Sequence, residues 1–406
     1  MGVDIAAGTI PAGRVGAIAG SLNRRDQRLR VRNARVAGAT WRSPLATLLE
    51  MDFPAWDPVL LDIPFLPIAI RWYGMMYVVG FLCAQWVFVR LAKRGFFPVT
   101  PEQAPDLIFY CVFGVMLGGR TGYALFYDQS LLNPLEFVQV WKGGLAFHGG
   151  LAGVAVAVWL FCRRYKIGWA RAADTAALGV CPGIFAVRFA NFINGELYGR
   201  KTDPETWGAM QFPTDPAALG QMGLRGGLTM RDRELCIQVA YGKRDFAEVQ
   251  DQLSQVDDLG RPIDWERIAP RLDWEAISAT TRTSPDGAIE HVVPFRHPSQ
   301  LYEGLGEGLL VGIALWVIYS LTRGRPLRTG KYAAIFLLGY SIARFSLEFV
   351  RKPDEQFYEG SSDGTVLFGM TMGQTLTLGM VVGALLILCW PRKADQGGGE
   401  PPTRSA

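Results

Sequence analysis

Seven apolar stretches constrain what this 406-residue chain can fold into more than any other feature. They run over approximately 70–90, 107–127, 145–162, 169–190, 301–321, 332–350 and 367–390. A membrane-spanning helix needs roughly 20 predominantly apolar residues. Any one stretch could be a buried helix of a soluble domain, but seven of them separated by short polar loops do not fit that reading. Composition agrees. Half of the chain is hydrophobic (50%), 12% is aromatic and only 19% is charged, with a mean hydropathy of +0.15. Soluble domains carry about a quarter charged residues. The net charge of +4 is small and dispersed, which argues against a nucleic-acid partner.

The expected fold is therefore an all-α polytopic membrane protein with seven transmembrane helices. The short loops orient it, because basic residues stay in the cytoplasm. Arg90, Lys93 and Arg94 follow the first stretch. Arg163, Arg164, Lys166 and Arg171 follow the third. Arg323, Arg325, Arg328 and Lys331 follow the fifth, and Arg392 and Lys393 the seventh. The alternate loops, 128–144 and 351–366, hold only Lys142, Arg351 and Lys352. That pattern places the N-terminus outside and the C-terminus in the cytoplasm. The expected order is helices one to four over 51–199, a polar insert over 200–296, helices five to seven over 297–392, and a disordered cytoplasmic tail over 393–406. The insert falls outside and reads as a small folded periplasmic head. "DLGRP" and "SPDG" mark turns in it, and "RDFAEVQDQLSQV" is a candidate amphipathic helix. No internal repeat is visible.

The first 50 residues do not fit this topology. They carry Arg14, Arg24, Arg25, Arg28, Arg30, Arg32, Arg35 and Arg42 against three acidic residues. Moving eight arginines outward opposes the positive-inside rule, and no apolar secretory core is present. We favour a native start near Met51; the alternative is a disordered extension. The six cysteines form no CxxC pair, and five sit in apolar runs, so they read as small core residues. No metal site or cofactor motif is apparent.

Polar residues within the apolar stretches carry the functional signal. A charged residue at the centre of a spanning helix costs about 2.5–3.5 kcal/mol, so it needs a partner or a function. In the sixth stretch Tyr340, Arg344 and Glu348 are spaced i, i+4, i+8 and share one stripe of a helix. A self-satisfied Arg–Glu pair is the plain alternative. The fourth stretch ends in "RFANFINGELYGR", which brings Arg188, Asn191, Asn194 and Glu196 into nine positions. His148 lies in the first turn of the third stretch, where a histidine usually serves as an interfacial hydrogen-bonder. Tyr73 lies near the outer end of the first, where an aromatic belt is the plain reading. Arg120 sits in the second, and "RHPSQLYEG", with His297, Pro298, Gln300 and Glu303, opens the fifth. Each has an ordinary explanation alone, yet all fall on the outer side. Several are guanidinium groups, which suit phosphate recognition. Small residues in "GGR", "HGG" and "NG" allow close helix approach. The residues point to a cavity in the outer half of the membrane for an amphiphile with an anionic head.

At these residues the chain resembles the prolipoprotein diacylglyceryl transferase family of bacteria. The family pattern G-R-x-x-N-F-x-N-x-E-x-x-G is similar to "VRFANFINGELYG", matching at Arg188, Asn191, Phe192, Asn194, Glu196 and Gly199. "IRWYGMMY", "FHGGLAG", "RHPSQLYE" and "GYSIARFSLEFVRKPDEQ" resemble further family blocks in the family's order. The resemblance covers about 52–392 apart from much of the insert. Val187 departs from the usual glycine, the insert is longer than usual, and the first 50 residues have no counterpart.

The resemblance implies transfer of a diacylglyceryl group from phosphatidylglycerol to the lipobox cysteine of a prolipoprotein signal peptide. A thioether forms and glycerol 1-phosphate leaves. It implies a bacterial inner membrane, with the site facing the periplasmic leaflet and no cofactor. Under it, Arg188 and Arg344 bind and stabilise the phosphate, and Glu348 orients Arg344 or helps accept the thiol proton. His148 is a base candidate or a head-group hydrogen-bonder. Asn191 and Asn194 hold glycerol hydroxyls or phosphate oxygens, with Glu196 in the same turn. Gly199 gives a turn that a side chain would obstruct. Tyr73, Tyr340 and His297 complete the substrate-binding set. Two rivals are another phospholipid head-group transferase, such as a CDP-alcohol phosphotransferase, and a lipid transporter or flippase. The first needs clustered aspartates on the cytoplasmic side, which the spans lack. The second usually shows repeats and midplane binding residues.

Overall fold

The computed structural model describes residues 52–62, 69–139, 144–224, 226–285, 287–352, 365–367 and 369–389. The expectations for residues 1–50, for the tail 393–406 and for most of the loop 351–366 lie outside the described residues. Every one of the seven apolar stretches contains a helix: α1 (Trp72–Lys93), α2 (Asp106–Phe126), α3 (Phe147–Tyr165), α4 (Trp169–Ile193), α6 (Ser299–Leu321), α7 (Lys331–Leu347) and α8 (Met372–Cys389). Five of them, α1, α2, α4, α6 and α8, are long and apolar enough to cross a membrane. The helix α3 ends on two arginines, and α7 has 17 residues with Arg344 in its last turn. Strands among the described residues form only two-stranded sheets.

The helix α4 is the hub. Half of its apolar window is buried, against 17–33% for the other four long helices, and it packs on α1, α6 and α7. Its interior proline, Pro182, has no N–H to give the carbonyl four residues back, that of Leu178. The Trp316 indole of α6 donates to that carbonyl instead, at 3.0 Å. The helix therefore keeps its course through an apolar region where an orphan carbonyl is costly. Near its other end, Asp174 accepts from Gly330 N (2.7 Å) and Ala333 N (2.9 Å), capping α7 from a neighbouring helix.

Helices α2 and α3 meet through glycine. A Cβ on Gly118 would lie 2.4 Å from the Gly149 carbonyl oxygen, and one on Gly153 only 2.0 Å from that of Gly114. No larger residue fits that seam, as "GGR" and "HGG" suggested. Arg120, almost fully buried, then uses its guanidinium as a clamp. It donates to the carbonyls of Phe137 (3.0 Å), Glu136 (2.6 Å), Gln139 (3.3 Å) and Gly144 (3.3 Å). It thus ties the loop before α3 to α2.

The insert folds around its own core, which includes Phe212, Leu224, Leu235, Cys236, Val249 and Trp265, with Phe53 and Phe192 joining from outside it. Cys236 is fully buried, and burial pushes its thiol up to about 12, so it is inert. The longest helix here is α5 (Met230–Ala240), opened by a capping box between Thr229 and Asp232. The candidate helix in "RDFAEVQDQLSQV" is reduced to one turn, Phe246–Val249, and a 3₁₀ turn. Tertiary bonds replace its ladder: Ser254 N donates to Asp232 (2.9 Å), and the Trp265 indole donates to Ser254 O (2.9 Å). The "DLGRP" and "SPDG" segments are turns, with Gly260 and Gly287 at positive φ. The second joins the hairpin of β1 (Thr281–Thr283) and β2 (Ile289–His291).

Trp316→Phe keeps an aromatic ring, though a smaller one, and leaves the Leu178 carbonyl without its donor. It should cost about 1–3 kcal/mol, read as a lowered melting temperature in detergent. Trp316→Phe with unchanged stability would mean that another group serves that carbonyl.

Candidate functional site

The site grows from three helix ends. Arg188 lies in the last turns of α4, Glu303 and Glu307 in the first turns of α6, and Arg344 in the last turn of α7, which Glu348 caps. Arg188 reaches Glu303 at 2.9 Å and Glu307 at 3.5 Å. Arg344 reaches Glu303 at 3.3 Å, Glu307 at 3.5 Å and Glu348 at 3.2 Å. Arg351 Nε adds a contact of 3.6 Å to Glu303. Three guanidinium groups thus interlock with three carboxylates. Thr371 Oγ1 donates to Glu348 at 2.9 Å, and a Cβ on Gly373 would lie 2.8 Å from that carboxyl group, so the start of α8 closes over it.

The exposure within this cluster is one-sided. The Glu303, Glu307 and Glu348 side chains are 0–2% exposed, whereas Arg188 is 19% and Arg344 and Arg351 are 12% exposed. The carboxylates are shut in, whereas the arginine side chains keep some open surface. Such an arrangement holds the positive groups rigidly and leaves donors for an anion. A π-helical turn, Gly304–Leu310, runs through α6 at this point. Its wider winding, with i→i+5 bonds, brings Glu303 and Glu307 closer to one line than an α-helix does. Within it, Gly308 would clash with the Phe185 backbone nitrogen at 2.8 Å if it bore a Cβ, so glycine sets the α4–α6 contact.

The chain beyond α4 folds into a tight turn. Asn191 Nδ2 donates to Glu196 at 2.8 Å and Asn194 Nδ2 does so at 3.4 Å. Gln300 Nε2 donates to the Glu196 carbonyl at 2.6 Å, and Ser299 Oγ to that of Leu197 at 3.0 Å. Gly195 and, unusually for a leucine, Leu197 have positive φ (64° and 58°). Leu197 is exposed in this strained conformation. Asn194 Oδ1 and Gln300 Oε1 are buried with no hydrogen-bond partner among the described residues. Gly199 N donates to His297 O at 2.8 Å. Burial lowers the His297 pKa, so its ring is neutral at neutral pH.

Of the residues expected at the site, Arg188, Arg344 and Glu348 come together directly, with Tyr340 one helical turn before Arg344 on the same stripe. Asn191, Asn194 and Glu196 bond to one another beside them. Tyr73 opens α1, its ring 5.2 Å from that of Tyr77. His148 is exposed in the first turn of α3. Sequence reasoning noted Glu303 only as part of a polar first turn, and missed Glu307 and Arg351 as members of the cluster. The signal for the two glutamates was present: Glu303 and Glu307 stand four apart in an otherwise apolar span.

The prolipoprotein diacylglyceryl transferase family model matches residues 58–390. The chain is 34% identical over 345 residues to the phosphatidylglycerol–prolipoprotein diacylglyceryl transferase of Paraburkholderia phymatum, covering 83% of this chain and 93% of that one. It is 35% identical to the protein of that name from Burkholderia thailandensis, covering 83% and 95%. The like-named protein of Chromohalobacter salexigens is 34% identical, with 84% and 95% covered.

A Cβ on Gly199 would meet the Val350 carbonyl oxygen at 2.4 Å and His297 Cβ at 2.9 Å, whereas one on Gly74 meets nothing within 4 Å. Gly199→Ala should destabilise the protein by about 1–3 kcal/mol, while Gly74→Ala should not. Thermal unfolding of both variants in the same detergent checks this; equal melting temperatures would overturn it.

Proposed function

The chain belongs to the prolipoprotein diacylglyceryl transferase family, and from that premise we propose how its buried arginine cluster carries the reaction. The protein is a phosphatidylglycerol–prolipoprotein diacylglyceryl transferase, which catalyses the first step of lipoprotein lipidation. In our reading the acceptor is the thiol of the lipobox cysteine. Its sulfur attacks the glyceryl carbon bonded to the phosphate oxygen. The C–S bond forms as the C–O bond breaks, and that electron pair stays on the phosphate oxygen. A thioether and glycerol 1-phosphate result, and the thiol proton passes to the base that activates the sulfur.

Three demands follow: a thiolate, an in-line carbon and stabilised charge on the leaving group. A free cysteine thiol has a pKa of about 8.5, so a base or a positive field must raise its thiolate fraction. The observation that carries our assignment is the one-sided cluster. The Arg188 and Arg344 side chains are partly accessible, and the carboxylates paired with them are nearly fully buried. In this reading the two arginines bind the phosphate and stabilise it as it leaves. Glu303, Glu307 and Glu348 hold them in place, so little reorganisation accompanies charge development. Asn194 and Gln300 offer their buried acceptors to the hydroxyls of the glycerol head. Asn191 and Glu196 shape that turn, and Gly199 and His297 join it to the next strand. Tyr73 and Tyr340 present hydroxyls at head-group level. His148 serves as the proton acceptor or contacts the head group.

The topology we favour has seven spans, with α3 and α7 added to the five long helices. Asp174, Gly330 and the basic loops then lie on the cytoplasmic side. The cluster and the insert face the periplasmic side of the bacterial inner membrane. Residues 200–296 form the periplasmic head.

The test is turnover by purified protein in phosphatidylglycerol vesicles with a lipobox peptide, read as a diacylglyceryl mass gain on cysteine. Arg188→Ala and Arg344→Ala should each lower kcat by about 10²–10³-fold. Either variant at full rate in a folded protein would remove that arginine from the mechanism. Normal turnover by His148→Gln would exclude His148 as the obligatory base.

A further inference from the structure

A cavity of about 530 Å³ is lined by residues of the insert together with Lys352. Two stretches of chain form facing walls: Lys201–Pro204 and Ile289–Val292. Arg296 and Lys352 complete the lining that matters here. The first wall is extended, bridged to Arg296 through Lys201, and Thr202 N donates to Phe295 O at 2.9 Å. The second is β2 with the residue after it.

The hydrogen bonds of the hairpin show which way its backbone points. Val292 N donates to Thr280 O, and Ser284 N to Ala288 O. With the register Arg282↔Glu290, the even-numbered residues of β2 are the ones that bond to β1. Antiparallel strands alternate, so the N–H and C=O groups of Ile289 and His291 point away from β1. The hairpin is a two-stranded sheet, and no third strand pairs with β2 among the described residues. A strand edge of this kind is a template for another extended chain. Ile289 is 77% exposed on it. The charged groups around the cavity are mostly already paired: Arg296 with Asp215 at 2.6 Å and Arg282 with Glu290 at 3.3 Å. The walls therefore offer main chain and modest apolar surface, without a strong field of either sign.

The cavity is also close to the cluster along the chain. Lys352 directly follows Arg351, whose Nε is 3.6 Å from Glu303. Lys201 stands two residues past Gly199, and the Arg296 guanidinium donates to Gly199 O at 3.3 Å. Two to three extended residues span roughly 7–11 Å, enough to pass from the cluster to the cavity edge.

Resting on the transferase reading above, we propose that this cavity takes the polypeptide segment just downstream of the acceptor cysteine, added as an extended strand on the open edge of β2. The signal peptide before the cysteine is apolar and belongs in the membrane, whereas the chain after it is on the outer side and polar. Main-chain pairing supplies affinity without demanding a fixed sequence. With the cysteine at the cluster, residues roughly two to six positions beyond it reach β2.

The experiment uses full-length protein in phosphatidylglycerol vesicles and two synthetic peptides, identical through the cysteine and ending two or eight residues after it. The longer peptide should show a KM about tenfold lower, with kcat within about twofold. N-methylation of the backbone at the fourth and sixth downstream residues should return the long peptide to the short peptide's KM. Ile289→Pro, which alters an outward-facing amide on an edge where proline is tolerated, should close the gap between the two lengths. Anisotropy of labelled peptides in which the cysteine is replaced by serine should show the same order of affinity without turnover. Equal KM and equal affinity for both lengths, or insensitivity to N-methylation, would overturn the proposal. Loss of transfer to both peptides while the long one still binds more tightly would count against the transferase reading and leave the docking site standing.

Discussion

The meeting of α4, α6 and α7 depends on holding three largely enclosed guanidinium groups fixed among carboxylates in an otherwise apolar setting. Removing an ion from water costs several kcal/mol even after relaxation, and a pair recovers this only with good geometry and further hydrogen bonds. Here no arginine relies on one partner. Glu303 is shared by Arg188, Arg344 and Arg351, and Glu307 by Arg188 and Arg344. Sharing ties α4, α6 and α7 together at one end. The same contacts that anchor the helices also fix the arginines that we propose meet the substrate. The π-turn and the glycines at 304, 308 and 373 serve this arrangement, because they let three backbones come close enough for the pairs to form.

Elsewhere the helices solve a different problem with the same logic. Polar backbone groups freed by proline or by a helix start are met by a side chain from a neighbouring helix: Trp316 for the Leu178 carbonyl, Asp174 for the first turn of α7. Arg120 does the same for a whole loop through four carbonyls. Each device is tertiary, so each makes one helix's regularity conditional on another's position. The site then inherits its precision from contacts far from it.

This explains what was legible in the sequence. The seven helices were, because hydropathy over some twenty residues needs no partner. The Tyr340–Arg344–Glu348 stripe was, because i, i+4 spacing on a helix is local geometry. The Gly118–Gly149 seam was legible as a tendency, since only small residues permit such approach. Arg351 was not, because its partner Glu303 sits on another helix, and Glu307 was legible only as a charge in an apolar span, since Arg188 and Arg344 reach it from two other helices. Arg120 looked like a functional cation and instead holds a loop. Asn191 and Asn194 looked like ligands for a head group. Their amide nitrogens turn inward to Glu196, and the Asn194 oxygen is left as the polar group of interest. The candidate helix at 244–256 failed for the same reason: Asp232 and Trp265, distant in sequence, outbid its own ladder.

Charge accounting connects the cluster to the order of events in the reaction. Three guanidiniums against three carboxylates make the empty cluster neutral. In the proposed mechanism a phosphodiester head adds one negative charge, and its arrival is favourable only if the guanidinium groups, and not the carboxylates, meet it. When the C–O bond breaks, the leaving monoester carries a second negative charge unless it takes a proton. The second ionisation of such a phosphate has a pKa of about 6, far below that of the thiol, so the monoester is a poor base and a good leaving group. The thiol must therefore lose its proton before or as the carbon is attacked, while the arginines hold the growing charge. That sequence requires the proton acceptor to face the thiol and to be distinct from the groups that hold the phosphate. In that proposal Arg188 and Arg344 are closed on Glu303 within the cluster, which leaves the acceptor to be a group other than these.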